Sequence, residues 1–112
     1  MRTFPTGATR DTAQGKPDYV GYLSPTALTA YGRYMLKHQT QADGTVRDAG
    51  NWKKGMPLDV YLASAMRHLH AVWLHHEGHG KMALEPLEDA LCALWFNVQG
   101  YLHEHLKAGG AA

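Results

Sequence analysis

Two apolar stripes at helical spacing, each introduced by a proline, leave this chain little choice of architecture. Leu58, Leu62, Ala65, Leu69, Val72 and Trp73 follow Pro57, and Leu87, Leu91, Leu94, Val98, Leu102 and Leu106 follow Glu85-Pro86. Recurrence at steps of three and four gathers apolar groups on one side of an α-helix, whereas a half-buried strand would need alternation. Proline fits the first helical position, where the amide has no partner within the helix, and the glycines at 78 and 80 close the first run. A shorter run opens at Ser24-Pro25, a capping hydroxyl followed by a proline, with Leu28, Tyr31, Met35 and Leu36 behind it. The spacing predicts helices near 25–39, 57–77 and 85–107, with the two long stripes as core and almost no strand. Gly32, inside the first helix, is expected to admit another helix or a ligand closely.

The result is an all-α fold of three main helices with long N-terminal and inter-helix loops, a single domain over residues 1–112. Residues 1–23 read as a loop segment that packs through Phe4, Tyr19, Tyr22 and Leu23. Residues 40–55 form a polar connection with a turn at Asp43-Gly44, and the tail 108–112 is expected to be disordered. Three helices make a small core. The third carries Trp95, Phe96 and Tyr101 beside its stripe, more apolar surface than one neighbouring helix covers, so a homo-oligomer is expected to complete the fold.

A formal net charge of +1 gives no bulk attraction to duplex nucleic acid or to an anionic membrane, so any basic site must be local. No apolar run approaches the length of a membrane helix, and the first residues lack the apolar region of a signal peptide. Cys92, the single cysteine, lies in an apolar helical run and reads as a small buried hydrophobe. A cytoplasmic protein is expected.

Eight histidines invite a metal reading, but spacing argues against one. His75 and His76 pair with His79 on a helix face only if the helix passes Gly78, and histidine at a helix C-terminus is favoured by the macrodipole alone. No His-Glu-x-x-His motif, phosphate-binding Gly-rich loop or nucleophile elbow occurs. Glu85, Glu88 and Asp89, with His68, are the only candidate catalytic set, which would act with Mg²⁺. A negatively charged first helical turn explains these acids as well.

The remaining charged residues suggest a ligand. Arg10-Asp11 and Gly15-Lys16-Pro17-Asp18 stand in the N-terminal loop, Asn51-Trp52-Lys53-Lys54-Gly55 precedes the second helix, and Arg67-His68 lies on it. Lysine supplies a point charge, arginine a planar fork for phosphate oxygens, and tryptophan a face for stacking. Arg10, Lys16, Lys53, Lys54 and Arg67 are expected to meet phosphates, with His68 donating to one. Trp52 or Tyr19 would stack a base, and Asp11, Asp18 or Asn51 would bond polar edges of base or sugar.

Taken in order, Gly7-Ala8-Thr9-Arg10-Asp11, Gly15-Lys16-Pro17-Asp18, Asn51-Trp52-Lys53-Lys54-Gly55 and Arg67-His68-Leu69 resemble small phage proteins carrying the N-terminal domain of dATP/dGTP diphosphohydrolase. The resemblance spans roughly residues 6–100 and extends to Glu77-Gly78-His79 and Asn97, while Glu88-Asp89 stand about where that family carries histidine. It implies a phage origin, a host-cell setting and a purine nucleotide ligand. The leading expectation is therefore a binding protein for a phosphorylated purine nucleotide or a nucleotide-derived signal, held away from a host pathway without a cofactor. The alternative is a metal-dependent dATP/dGTP diphosphohydrolase.

Overall fold

The computed structural model describes residues 1–110 and is mainly helical. Its elements run β1 (Arg2–Thr3), β2 (Thr9–Arg10), α1 (Tyr19–Tyr22), α2 (Pro25–Lys37), α3 (Leu58–His76) and α4 (Leu87–Lys107). Single 3-10 turns lie at Asn51–Lys54 and Gly80–Met82. The all-α reading holds, and the three main helices begin and end within two residues of their predicted limits.

Local chemistry accounts for those limits. The Ser24 hydroxyl accepts from the Ala27 amide at 3.1 Å, and Pro25 occupies the first helical position. At the end of α3, Gly78 takes φ +82°, its amide donates to the His75 carbonyl, and the His79 amide donates to that of Leu74. These are the two bonds of a Schellman ending, which satisfies carbonyls that the helix leaves open. Ala108, Gly109 and Gly110 end α4 with the same two bonds, while Ala111 and Ala112 of the expected disordered tail lie outside the described residues.

Residues 1–23 differ from expectation in form and in packing. Arg2–Thr3 pairs antiparallel with Thr9–Arg10 across a turn through Gly7, and Tyr19–Tyr22 makes one helical turn capped by Asp18. Phe4, Tyr19, Tyr22 and Leu23 do not pack; every residue from Met1 to Thr29 is exposed.

The core sits between α3 and α4, which run antiparallel, the start of α3 against the end of α4. It is not built from the two leucine stripes. Its buried members are Tyr61 and Ala71 on α3 with Ala90, Cys92, Ala93, Asn97 and Gly100 on α4, while Leu58, Leu62, Leu69, Leu87, Leu91, Val98, Leu102 and Leu106 are exposed. Small residues on α4 let the helices approach closely, and the inward face of α3 carries Tyr61, Ser64, His68, Ala71 and His75. α2 lies along α4, with Tyr31 stacked on Trp95 at 4.5 Å between ring centroids and Lys37 paired with Asp89 at 2.7 Å. The expected close helix approach at Gly32 does not occur: a methyl group there would meet nothing within 4 Å. Among the described residues no helix is long and apolar enough to cross a membrane.

Candidate functional site

The polar connection after α2 folds back on itself before it reaches α3. Thr40 and Val46 form an isolated bridge around a turn in which Gly44 has φ +86° and the Asp43 carboxylate accepts from the Thr45 amide and hydroxyl. Those two bonds hold the Asp43 carboxyl below its ordinary range, the Thr45 hydroxyl having the larger effect. The Arg47 amide then donates to the Gln39 carbonyl at 2.9 Å, which brings Arg47 back beside the end of α2.

The Asn51–Lys54 turn docks on the far end of α4. Trp52 meets His103 edge-on, 4.8 Å between centroids, and the Lys53 ammonium lies 5.9 Å from the Trp52 ring. Gly55, at φ +96°, would place a methyl group 3.4 Å from Glu104 Oε1. Beside it, Tyr61 is fully buried, and neither its hydroxyl nor Glu104 Oε1 has a hydrogen-bond partner among the described residues. Burial first, and the Glu104 charge second, raise the Tyr61 phenol above its ordinary pKa.

Between α2, this connection and α4 opens a cleft of about 380 Å³. Tyr31, Trp52 and Phe96 give it aromatic surface, Gln39, Asn51 and Gln99 give it amides, and Arg47 and Asp48 give it one charge of each sign. Gly32 also lines it, so the missing side chain in α2 widens this cleft. A planar ring system with polar edges and an anionic group matches such a lining, because aromatic faces take the ring, amides both donate and accept, and a guanidinium grips two oxygens at once. Arg47 was not among the sequence candidates. It stands alone among small and polar neighbours, and only the Thr40–Val46 fold-back carries it to α2.

A second cleft, of about 410 Å³, lies on α3 and the segment leading into α4, lined by Arg67, His68, His70, Leu74, Met82 and Glu85 among others. Here His68 Nδ1 lies 2.5 Å from Glu85 Oε1, and His75 Nε2 lies 2.8 Å from the Glu85 carbonyl. Two histidines, two turns apart on α3, therefore hold the approach to α4.

The candidate residues are thus divided. Asn51 and Trp52 line the first cleft, and Arg67 and His68 the second. Lys53 and Lys54 are exposed. Arg10 is in the hairpin opposite Arg2, the Asp11 carbonyl accepts from Arg2 Nε, and Lys16 is exposed on a turn. Asp18 caps α1, its carboxylate accepting from the Gly21 amide. The acids separate as well: Glu85 turns to α3, whereas Asp89 pairs with Lys37 on α2, and Glu88 lines a small depression beside that pair. No three metal-ligating side chains among the described residues are gathered closely enough to hold an ion. Cys92 is buried as expected; burial and the Asp89 and Glu88 charges raise its thiol pKa, against an opposing effect of Lys37.

Neither the sequence nor the fold matches a known protein-family model, a curated protein or a solved structure.

Proposed function

We propose that this chain binds a phosphorylated purine nucleotide, or a signal derived from one, in the cleft between α2, the 39–52 connection and α4. The observation that supports the reading is the lining of that cleft. Tyr31, Trp52 and Phe96 offer ring faces, Gln39, Asn51 and Gln99 meet base and sugar edges, and Arg47 takes the phosphate. The lining has Asp48 and the Tyr31 phenol as its only proton-transfer groups and no histidine, cysteine, serine or lysine beside them, a set suited to recognition. Holding a ligand intact is what such a site does best. Sequestration of a host nucleotide in the host cytoplasm is the role that suits it, and the resemblance to the phage dATP/dGTP diphosphohydrolase N-terminal domain supports the choice of a purine. The protein works as a homo-oligomer. Supporting this, Leu62, Leu69, Leu91 and Val98 on α3 and α4 are each between 45% and 55% exposed, apolar surface of the kind a second chain covers.

A second reading rests on the other cleft. The His68–Glu85 pair beside Arg67 could serve as base and phosphate contact for a Mg²⁺-dependent diphosphohydrolase. One experiment separates the two. Purified protein is incubated with a panel of purine nucleotides and Mg²⁺, freed of unbound ligand and denatured, and the released compound is identified by mass spectrometry. An intact nucleotide at near one per chain supports binding. A shortened phosphate chain supports hydrolysis, and no retention of any panel member with no turnover sinks both.

A further inference from the structure

Arg47 and Asp48 are consecutive, line the same cleft and carry opposite charges, yet they do not pair. The ion pairs among the described residues are Lys37–Asp89, His68–Glu85 and Lys107–Glu104. The bond from the Arg47 amide to the Gln39 carbonyl fixes the backbone at this point, while both side chains stay exposed and available to a ligand. The first cleft therefore presents one cation and one anion, and no other charged residue lines it. Lys53 and Lys54 stand exposed on the adjoining 3-10 turn and are not part of its wall. The helices supply no further anion site. Leu36 and Gln39 line the cleft on either side of Lys37, the last residue of α2, so this helix brings the negative end of its dipole. No α-helix begins there: α3 starts at Leu58, and α4 contributes Phe96 and Gln99 from its middle. At about 380 Å³ the cleft is also near the lower end of the roughly 300–1,000 Å³ typical of small-molecule sites.

We infer that this cleft takes a purine nucleotide with a single phosphate group and discriminates against di- and triphosphates. The inference rests on the nucleotide reading above and narrows its ligand. The Arg47 guanidinium grips two oxygens of one phosphate. A second or third phosphate brings more negative charge to a wall with no further cation. There it meets the Asp48 carboxylate and the negative end of α2, and like charges at short range repel. Asp48 is on this account the residue that selects. A carboxylate only accepts, so it takes hydrogen bonds from sugar hydroxyls or a base amino group of a ligand of low charge, and it opposes a polyphosphate.

The test is calorimetric titration of the full chain without divalent cations. Adenosine and guanosine are each offered as the nucleoside, the monophosphate, the cyclic monophosphate, the diphosphate and the triphosphate. Each titration is repeated with Arg47→Ala, and only the affinity that this change removes is assigned to the cleft, so a nucleotide held beside Arg67 is not counted. One of the single-phosphate ligands is expected to bind about tenfold or more tightly than its nucleoside, the effect of one charge-assisted contact. The diphosphate and triphosphate are expected to bind less tightly than that ligand. Asp48→Asn keeps the size of the side chain and removes its charge. It is expected to tighten the triphosphate by about threefold or more and not to tighten the single-phosphate ligand, so the gap between them narrows. A triphosphate that binds through Arg47 as tightly as the single-phosphate ligands, or more tightly, overturns the inference and leaves the nucleotide reading standing. An unchanged gap in Asp48→Asn does the same. No binding of any compound, or binding that Arg47→Ala does not affect, overturns the nucleotide reading of this cleft and the inference with it.

Discussion

Gly100 lies directly against the ring of Tyr61: a methyl group built at position 100 would stand 2.3 Å from Tyr61 Cε1, closer than any van der Waals contact allows. The two residues join the start of α3 to the end of α4, and Tyr61 has no room to retreat because it is fully buried. Close approach of the helices there is possible because position 100 carries no side chain.

Gly100→Ala is accordingly expected to destabilise the protein although alanine is the better helix former. The helix-propensity gain is about 1 kcal/mol, and forcing a methyl group into a filled seam costs about 3 kcal/mol, so the net effect is a loss. Gly32→Ala is the control. It stands in a helix with open space around it, so the propensity term acts alone and stability rises by up to about 1 kcal/mol. Urea unfolding of both variants checks the opposite signs.

Tyr61→Phe is expected to leave stability within about 1 kcal/mol of wild type, or to raise it. The buried hydroxyl has no partner among the described residues, so its removal takes away a desolvated polar group without breaking a bond. Tyr61→Ala, which removes the ring itself, should cost about 3–5 kcal/mol. Thermal melts of the two variants distinguish the ring from its hydroxyl.

The helix limits were legible because they are written in neighbouring residues: Ser24-Pro25, Pro57 and Gly78 act through bonds within one turn. Which face of each helix turns inward was not. The rule that large apolar residues point to the core picked Leu62, Leu69, Leu91 and Val98, whereas the chain packs its small residues and Tyr61 inward. That choice depends on Gly100, thirty-nine positions from Tyr61, a contact that appears in no local pattern. The basic residues are spread over separate parts of the fold for a similar reason. Trp52 and Arg67 are close in sequence, yet one docks on the end of α4 and the other projects from the middle of α3 into a separate cleft.

Cys92 is expected to react with thiol reagents at neutral pH more slowly than in the denatured chain, since the thiolate is the reacting form. Burial is the main cause, with the Asp89 and Glu88 carboxylates adding to it. A raised thiol pKa favours the folded chain while the thiol is protonated. That contribution is complete below the ordinary thiol pKa and is lost as pH rises through the folded value. Lys37→Ala removes the one opposing charge and should slow the reaction further; a faster reaction would show that breaking the Lys37–Asp89 pair opens the α2–α4 contact instead.

The ligand cleft gives the most direct contrast between the two arginines. Arg47 lines the first cleft and Arg67 the second, so single replacements report which one holds the nucleotide. Arg47→Ala should weaken binding by about 1.5–3 kcal/mol, the worth of a hydrogen bond to a charged group, or roughly 10- to 150-fold in Kd. Arg47→Lys should recover only part of it, because an ammonium cannot make the two-pronged contact. Arg67→Ala and Lys16→Ala should leave affinity unchanged, and none of these exposed positions should alter helix content. Gln99→Ala, on the α4 wall of the cleft, should weaken nucleotides bearing the base while sparing inorganic phosphate, since an amide at a ring edge reads the base and not the anion. Calorimetric titration of each variant measures these differences. Full affinity in Arg47→Ala together with its loss in Arg67→Ala would move the nucleotide to the His68–Glu85 cleft and favour the hydrolytic reading.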